Sequence, residues 1–288
     1  NEMCRNVAPI VPDQWPGDAP RPSEKMEGLF REQVPDILSL LKNIGKVFYS
    51  VWHDNHWRTI CSVTLSPGSV RMAFPDPLTE RRYLCGTVQI SSGTTGSDSI
   101  VVYAGTEAWL DQGLVRDLKD SERWPKTVAI EENGFDPGKA EKALPHYAVC
   151  FTRKFNGGNG TLQIRWAVFL PLADRFYENI VLRGMPDTVT LTLHGYFFLN
   201  SERTAIDGLD KDFQDNDGIC SNWNAQVALQ GVLSDILPAL ERFSCEVSYS
   251  DNFIRDLVIA LKSSRLYSSF RENICAHNQW AYILSPGG

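Results

Sequence analysis

The sequence predicts an α+β fold: a mixed or antiparallel sheet region followed by a helical C-terminal part. Three observations carry this expectation. Short runs rich in β-branched and aromatic residues, many with alternating polarity, follow one another from residue 46 to 198. Beyond residue 221, apolar residues recur at helical spacing. Between them, Leu191 to Leu240 marks the change: LTLHGYFFLNSERTAID ends in a polar turn, an Asp-dense loop follows, and SNWNAQVALQGVLSDILPAL opens the longest helical pattern. This divides the chain into an irregular arm or linker (1–29), an α+β middle domain with most of the strands (30–206), and an acidic loop with a helical subdomain (207–288).

Residues 1 to 28 are proline-rich and lack apolar periodicity. From Phe30, REQVPDILSLLKNIG places Val34, Ile37, Leu38, Leu41 and Ile44 on one helical stripe. Pro35 suits its first turn and Gly45 its stop. KVFYSVWH (46–53) and WRTICSVTL (57–65) flank a short turn as a hairpin. Strands are expected at 69–74, 81–92 and 99–105. EAWLDQGLVRDLKD (107–120) has helical spacing through Trp109, Leu110, Leu114 and Leu118, and WPKTVAIEE returns to strand. HYAVCFTRKF (146–155) and GTLQIRWAVFLPL (160–172) are separated by NGGNG, a turn signal of the hairpin kind. DTVTLTLHGYFF (187–198) completes the sheet. In the last helical pattern Asn222 or Ser221 is the expected cap and Pro238 the expected kink or break. NFIRDLVIALKSS and LYSSFRENICA read as shorter helices and QWAYIL (279–284) as a last strand.

The net charge of −7 and a pI near 5.3 argue against a nucleic-acid partner, which asks for a basic face. No apolar run reaches the roughly 18 residues of a membrane span, and the N-terminus lacks a signal-peptide pattern. The seven cysteines include no CxxC pair, and free thiols in a reducing cytoplasm are the simplest reading. The chain starts at Asn1 and ends in SPGG, as expected of a segment of a longer polypeptide.

No chemical motif is complete. His53, Asp54 and His56 share a hairpin turn, where exposed histidines are a commoner outcome than a metal site. The acidic loop 207–218 fits no EF-hand register: from Asp210 the sixth position is Asp215 and the twelfth Ser221, and from Asp212 they are Asp217 and Trp223. SSGTTGSDS (91–99) lacks the lysine of a P-loop. No serine sits in a GxSxG turn. The tryptophans, Trp52, Trp57, Trp109, Trp124, Trp166, Trp223 and Trp280 among them, are expected mostly in core or boundary packing.

HGYFFLNSERTAID followed by WNAQVALQGVLSDILPAL resembles a segment of sacsin-type repeats and their bacterial relatives, in the GHKL ATPase group that includes the 90-kDa heat-shock chaperones. There a strand of the "hxGYFxLxSxR" kind precedes a loop and a helix beginning "WN". FREQVPDILSLLKNIGKVFYSVW is similar to the helix and strand after their ATP-binding domain, and GTLQIRWAVFLPL to a chaperone middle-domain strand. The resemblance spans about Phe30 to Trp280.

The resemblance implies a middle segment. The group's nucleotide pocket needs a Glu/Asn helix and a DxGxG loop, and neither is in this chain; Asp217–Gly218 stands in the wrong place. The chain is therefore expected to hold no cofactor and to have no activity alone, ATP and magnesium belonging to an ATP-binding domain upstream in the same polypeptide. LNSER (199–203) resembles the chaperone turn "LNxSRE", with the Ser-to-Arg spacing changed by one residue. That gives Arg203 a catalytic contact to the γ-phosphate, with Asn200, Ser201 and Glu202 as the supporting turn. A guanidinium presents a fixed fork of donors to phosphate oxygens. A surface ion pair is the plainer reading of Arg203. The expected function is nucleotide-coupled binding of a client or partner protein. A non-catalytic interaction scaffold is the alternative, and a free-standing enzyme with an unrecognised pocket a third.

Overall fold

A computed structural model describes residues 22–41, 44–53, 56–66, 81–92, 99–119, 144–155, 160–168, 170–171, 178–182, 187–200, 202, 204–209, 218–247 and 251–266. The expected strands at 69–74, 124–132 and 279–284, the helix after Leu266, and most of the acidic loop lie outside these residues.

The fold is α+β, built on one mixed sheet of nine strands. The strands are β1 Lys46–His53, β2 His56–Leu65, β3 Arg82–Ser92, β4 Ser99–Trp109, β5 His146–Phe155, β6 Thr161–Val168, β7 Leu170–Pro171, β8 Glu178–Val181 and β9 Asp187–Gly195. Their order is β1-β2-β3-β4-β5-β9-β6-β7, with β8 also on β6. The first five form an antiparallel meander, as alternating runs joined by turns dictate.

Beyond β5 the order departs from the expected hairpin. β5 and β6 are not partners, because β9 lies between them, antiparallel to β5 and parallel to β6. NGGNG is a reversal signal in the sequence and β6 does run antiparallel to β5, but turn chemistry does not fix how far away the next strand lands. β6 lies two interstrand spacings, about 10 Å, from β5. β9 is thereby central, and all nine of its residues are buried.

The sheet has helices on both faces. Helix α1 (Pro22–Leu38) covers one face and packs on β1, β2 and β3. It starts at Pro22, within the stretch expected to be irregular, so Pro35 lies inside it instead of in its first turn. Pro22 opens the helix, where its missing N–H costs nothing. Phe30, Val34 and Leu38 face a small core with Val63, Leu84, Val88 and Tyr103. Ile44, expected on the same stripe, is exposed. Helix α2 (Gln112–Lys119) follows β4 directly, so Glu107 to Trp109 end a strand and do not begin a helix. Its first turn is capped by Asp111 Oδ1, which accepts from Gly113 N at 2.9 Å.

The other face carries the main core. Tyr147, Val149 and Phe151 of β5 and Val189, Leu191 and Leu193 of β9 meet the C-terminal helices there, with Phe151 stacked on Phe243 at 5.4 Å. The long helical pattern is one run of changing pitch: α3 (Ile219–Gln226), a π-helical segment (Val227–Val232), a 3₁₀ turn (Leu233–Asp235) and α4 (Ile236–Val247). Gly218 stands at the cap position without a side-chain cap bond, in place of the expected Ser221 or Asn222. The irregular turns precede Pro238, which sits in the first turn of α4. A proline there cannot bond the carbonyl of Ser234, and the 3₁₀ turn holding Ser234 ends the preceding ladder before the conflict arises. Within the π segment, a Cβ on Gly231 would come within 2.7 Å of the Tyr147 ring. Helix α5 (Asp251–Ser263) closes the helical layer. Among the described residues, no helix is long and apolar enough to cross a membrane.

Candidate functional site

The turn singled out in the sequence leaves β9 and is locked before the helical run starts. Asn200 N donates to Ala205 O at 2.9 Å, Asp207 N donates to Phe198 O at 3.1 Å, and Leu199 bridges Ile206. Inside this loop Asn200 folds its side chain back, and its Oδ1 accepts from Thr204 N at 2.9 Å and Ala205 N at 3.2 Å. An asparagine suits this because its short amide mimics a backbone turn. Glu202 is exposed at the tip. Arg203 and Ser201 lie outside the described residues. Gly208 follows at φ 83°, a left-handed conformation that favours glycine.

The "WN" pair fastens this loop from behind. Asn224, fully buried in α3, accepts from Phe198 N at 2.7 Å and donates to Phe198 O at 2.8 Å and Asp207 O at 2.9 Å. Trp223 Nε1 donates to Tyr196 O at 3.0 Å, and its ring meets Phe198 edge-on at 6.3 Å. One turn of helix thus holds both ends of the loop, so backbone groups outside regular structure keep partners although buried. The spacing between strand and helix motifs has a mechanical meaning: the helix supplies the clamp and the strand supplies the clamped turn.

Two polar clusters that the sequence reading missed lie on the α1 face. The first centres on Asp36, buried in α1. Its carboxylate takes Lys154 Nζ at 2.9 Å, Arg165 Nη1 at 3.2 Å and Thr152 Oγ1 at 2.5 Å. Arg165 also reaches Glu32 at 2.8 Å and Gln163 at 2.6 Å. Lys154 further donates to the Glu32 carbonyl, one residue after the Arg31 carbonyl that the Pro35 ring denies a helical partner. A cleft of about 410 Å³ opens beside this network, lined by Arg31, Glu32, Lys154, Gln163 and Thr188 among others. Its charged groups are already paired within the protein, Arg31 with Glu27 at 2.8 Å. That is how a helix is braced against a sheet. The signal in the sequence was an aspartate between Pro35 and Ile37 on an otherwise apolar stripe.

The second cluster holds Glu107 and His146, 3.3 Å apart and both buried. The His194 and Tyr196 rings lie 6.2 and 5.7 Å from the His146 ring. Burial, aided by the Glu107 charge, raises the Tyr196 phenol above its ordinary range. Nearer α1, burial pushes the Cys150 thiol up to about 12; a contact from Ser39 opposes this and the Asp36 charge adds to it. Such a thiol is a structural residue and not a nucleophile.

Among the described residues no three His, Cys, Asp or Glu side chains converge as metal ligands. His53 and His56 are cross-strand partners at the β1–β2 tip, and His56 is exposed. Cys61, Cys85, Cys150, Cys220 and Cys245 are free thiols. Most tryptophans were expected in packing: Trp166 and Trp223 are buried and Trp109 is half-buried, whereas Trp52 and Trp57 stand exposed on the hairpin; Trp124 and Trp280 lie outside the described residues. Searches against protein families, curated proteins and solved structures found no match for this chain.

Proposed function

We propose that this chain is the middle segment of an ATP-driven, chaperone-like protein of the GHKL group, which couples nucleotide state next door to binding of a client or partner. In this reading the 199–206 turn presents Arg203 to the γ-phosphate of ATP held by a domain upstream. The clamped geometry of that turn supports it: a residue that must meet developing charge is useful only on a backbone that does not reorganise. Asn200 and Asn224 supply that rigidity through five hydrogen bonds to the backbone. ATP and magnesium stay with the neighbouring domain, and one guanidinium is this chain's share of the site.

The test is Arg203→Ala in the polypeptide that includes the upstream domain. Single-turnover hydrolysis should fall by roughly 10³-fold, the lower end for an arginine that stabilises transferring phosphate. ATP affinity should hold, and unchanged turnover would sink the assignment. A second reading, a non-catalytic interaction scaffold, draws on the exposed aromatic residues of the β1–β2 hairpin. Partner capture that survives both Arg203→Glu and nucleotide depletion favours it.

A further inference from the structure

The two edges of the sheet are treated differently. At the far edge, β8 is covered by the end of α5, where Arg265 N donates to Glu178 Oε1 at 3.1 Å. At the near edge, β1 has no strand on its outer side among the described residues. Its backbone is a ready template for one more strand, and edges left in this state usually carry charge, proline or coverage. β1 reads KVFYSVWH, with one formal charge and no proline.

β1 also carries an aromatic stripe. Phe48, Ser50 and Trp52 share the face opposite α1, since Tyr49 points to Phe30 of α1 at 5.8 Å. An irregularity opposite Tyr49 and Ser50 brings Thr59 and Trp57 of β2 onto the same face. Phe48 is 55% exposed, Trp52 55% and Trp57 62%. The two indoles meet edge-on at 5.4 Å, and Lys46 Nζ lies 4.7 Å from the Phe48 ring. Packed rigid aromatics of this kind anchor interfaces at small entropic cost.

Charge selects the partner. β1, β2 and the two residues that join them contain Lys46, Arg58, His53 and His56 against one carboxylate, Asp54, in a chain of net charge −7. We infer that the β1 edge binds an extended acidic segment of another protein as an added strand, with apolar side chains at alternate positions resting on Phe48, Trp52 and Trp57. Lys46 lies on the stripe's own face. Arg58, across from Val51, serves carboxylates at the intervening positions. Period-two alternation in the ligand follows from strand geometry, and its acidity from the hairpin's charge. Two formal positive charges are too few to hold a polyphosphate backbone, which favours a peptide over nucleic acid. The inference gives the scaffold reading its partner class and does not depend on Arg203.

The probe is a fluorescently labelled decapeptide alternating Val and Glu, titrated into the 288-residue chain by anisotropy. The same peptide with Lys for Glu, and a single-stranded oligothymidylate, serve as controls. We expect the Glu peptide to bind at least tenfold tighter than the Lys peptide and to slow amide exchange along β1. Trp52→Thr with Trp57→Thr should cost at least tenfold in affinity at an unchanged thermal midpoint. Lys46→Glu with Arg58→Glu should reverse the peptide preference. Equal binding of both peptides, no binding of either, or retained affinity in the double tryptophan variant would overturn the inference. So would preferential binding of the oligothymidylate, or a concentration-dependent dimer abolished by the tryptophan substitutions. That last outcome would make a second copy the occupant. Loss of peptide binding with intact Arg203-dependent hydrolysis would leave the nucleotide reading standing.

Discussion

The two faces of β9 show how differently this sheet is held. Toward the C-terminal helices it presents Val189, Leu191 and Leu193; toward the α1 side it presents Thr188, Thr190, Thr192 and His194. Such alternation ordinarily means one face in the core and one in water. Here both are buried. The apolar face is stabilised by area, at about 25 cal/mol per Å² removed from water, and tolerates many arrangements of similar volume. The polar face gains little from burial and must be satisfied bond by bond. Helix α1 is consequently positioned by its charges: Asp36 and Glu32 meet Lys154 and Arg165 that rise from β5 and β6.

Removing the central carboxylate should break this arrangement most severely. Asp36→Ala leaves Arg165 and Lys154 under α1 without their shared partner, and loss of one member of a buried ion network costs about 3–5 kcal/mol. Chemical denaturation should report a loss in that range, with early amide exchange along α1 and little change in the C-terminal helices. Replacing Asp36, Lys154 and Arg165 together by apolar residues of similar volume should recover most of the loss. A single Asp36→Ala loss below about 1 kcal/mol would mean that α1 is held by its apolar stripe alone.

Alkaline pH probes the same face more gently. The Cys150 thiol stays neutral to about 12 when folded, against an ordinary value of 9.0, so between those limits the unfolded chain releases a proton that the folded chain keeps. Stability from this group is fully present below pH 9 and declines above it, by up to about 1.4 kcal/mol per pH unit. Cys150→Ala should flatten the decline between pH 9 and pH 12 by that amount. An equal slope in the variant would assign the decline to other groups, such as Tyr147, whose phenol is raised chiefly by burial and further by the Asp235 charge.

The two faces were not equally legible in the sequence. The apolar face largely was. In the strand from Gly160 the apolar positions at strand spacing are Leu162, Ile164, Trp166 and Val168, and in the last helical pattern those at helix spacing are Leu229, Val232, Leu233, Ile236, Leu237 and Leu240. All are buried except Val168 and Leu229, which are half-buried against the same core. Strands β1 to β6 and β9 followed from the same periodicity, whereas β8, Glu178–Val181, was not expected. What escaped was whatever depended on partners distant in sequence. Arg165 and Lys154 look like the solvent side of ordinary strands until Asp36 is brought over them, 129 and 118 residues away. The insertion of β9 between β5 and β6 escaped because a Gly/Asn turn advertises reversal and not adjacency. Helix α1 began early because proline-rich composition masked an opening Pro22. The turn at 199–206 was legible as a turn, but the reason "WN" follows it at a distance appears only when Asn224 is seen bonding Phe198 and Asp207.

The smallest expected effect sharpens the comparison because its sign is opposite. Among the described residues, the Thr190 and Thr192 hydroxyls are buried without a hydrogen-bond partner. A hydroxyl taken from water and left unbonded costs about 1–3 kcal/mol, whereas a valine of the same shape costs nothing to desolvate and keeps the β-branched fit to the strand. Thr190→Val should therefore stabilise the protein by about 1 kcal/mol, read as a shift in denaturant midpoint at constant slope. The reciprocal change on the other face, Leu191→Thr, places a hydroxyl into packed apolar surface and should destabilise. A neutral or harmful Thr190→Val would mean that the hydroxyl is bonded in solution, and that the α1 side of β9 is a polar layer with bridging water rather than a dry one.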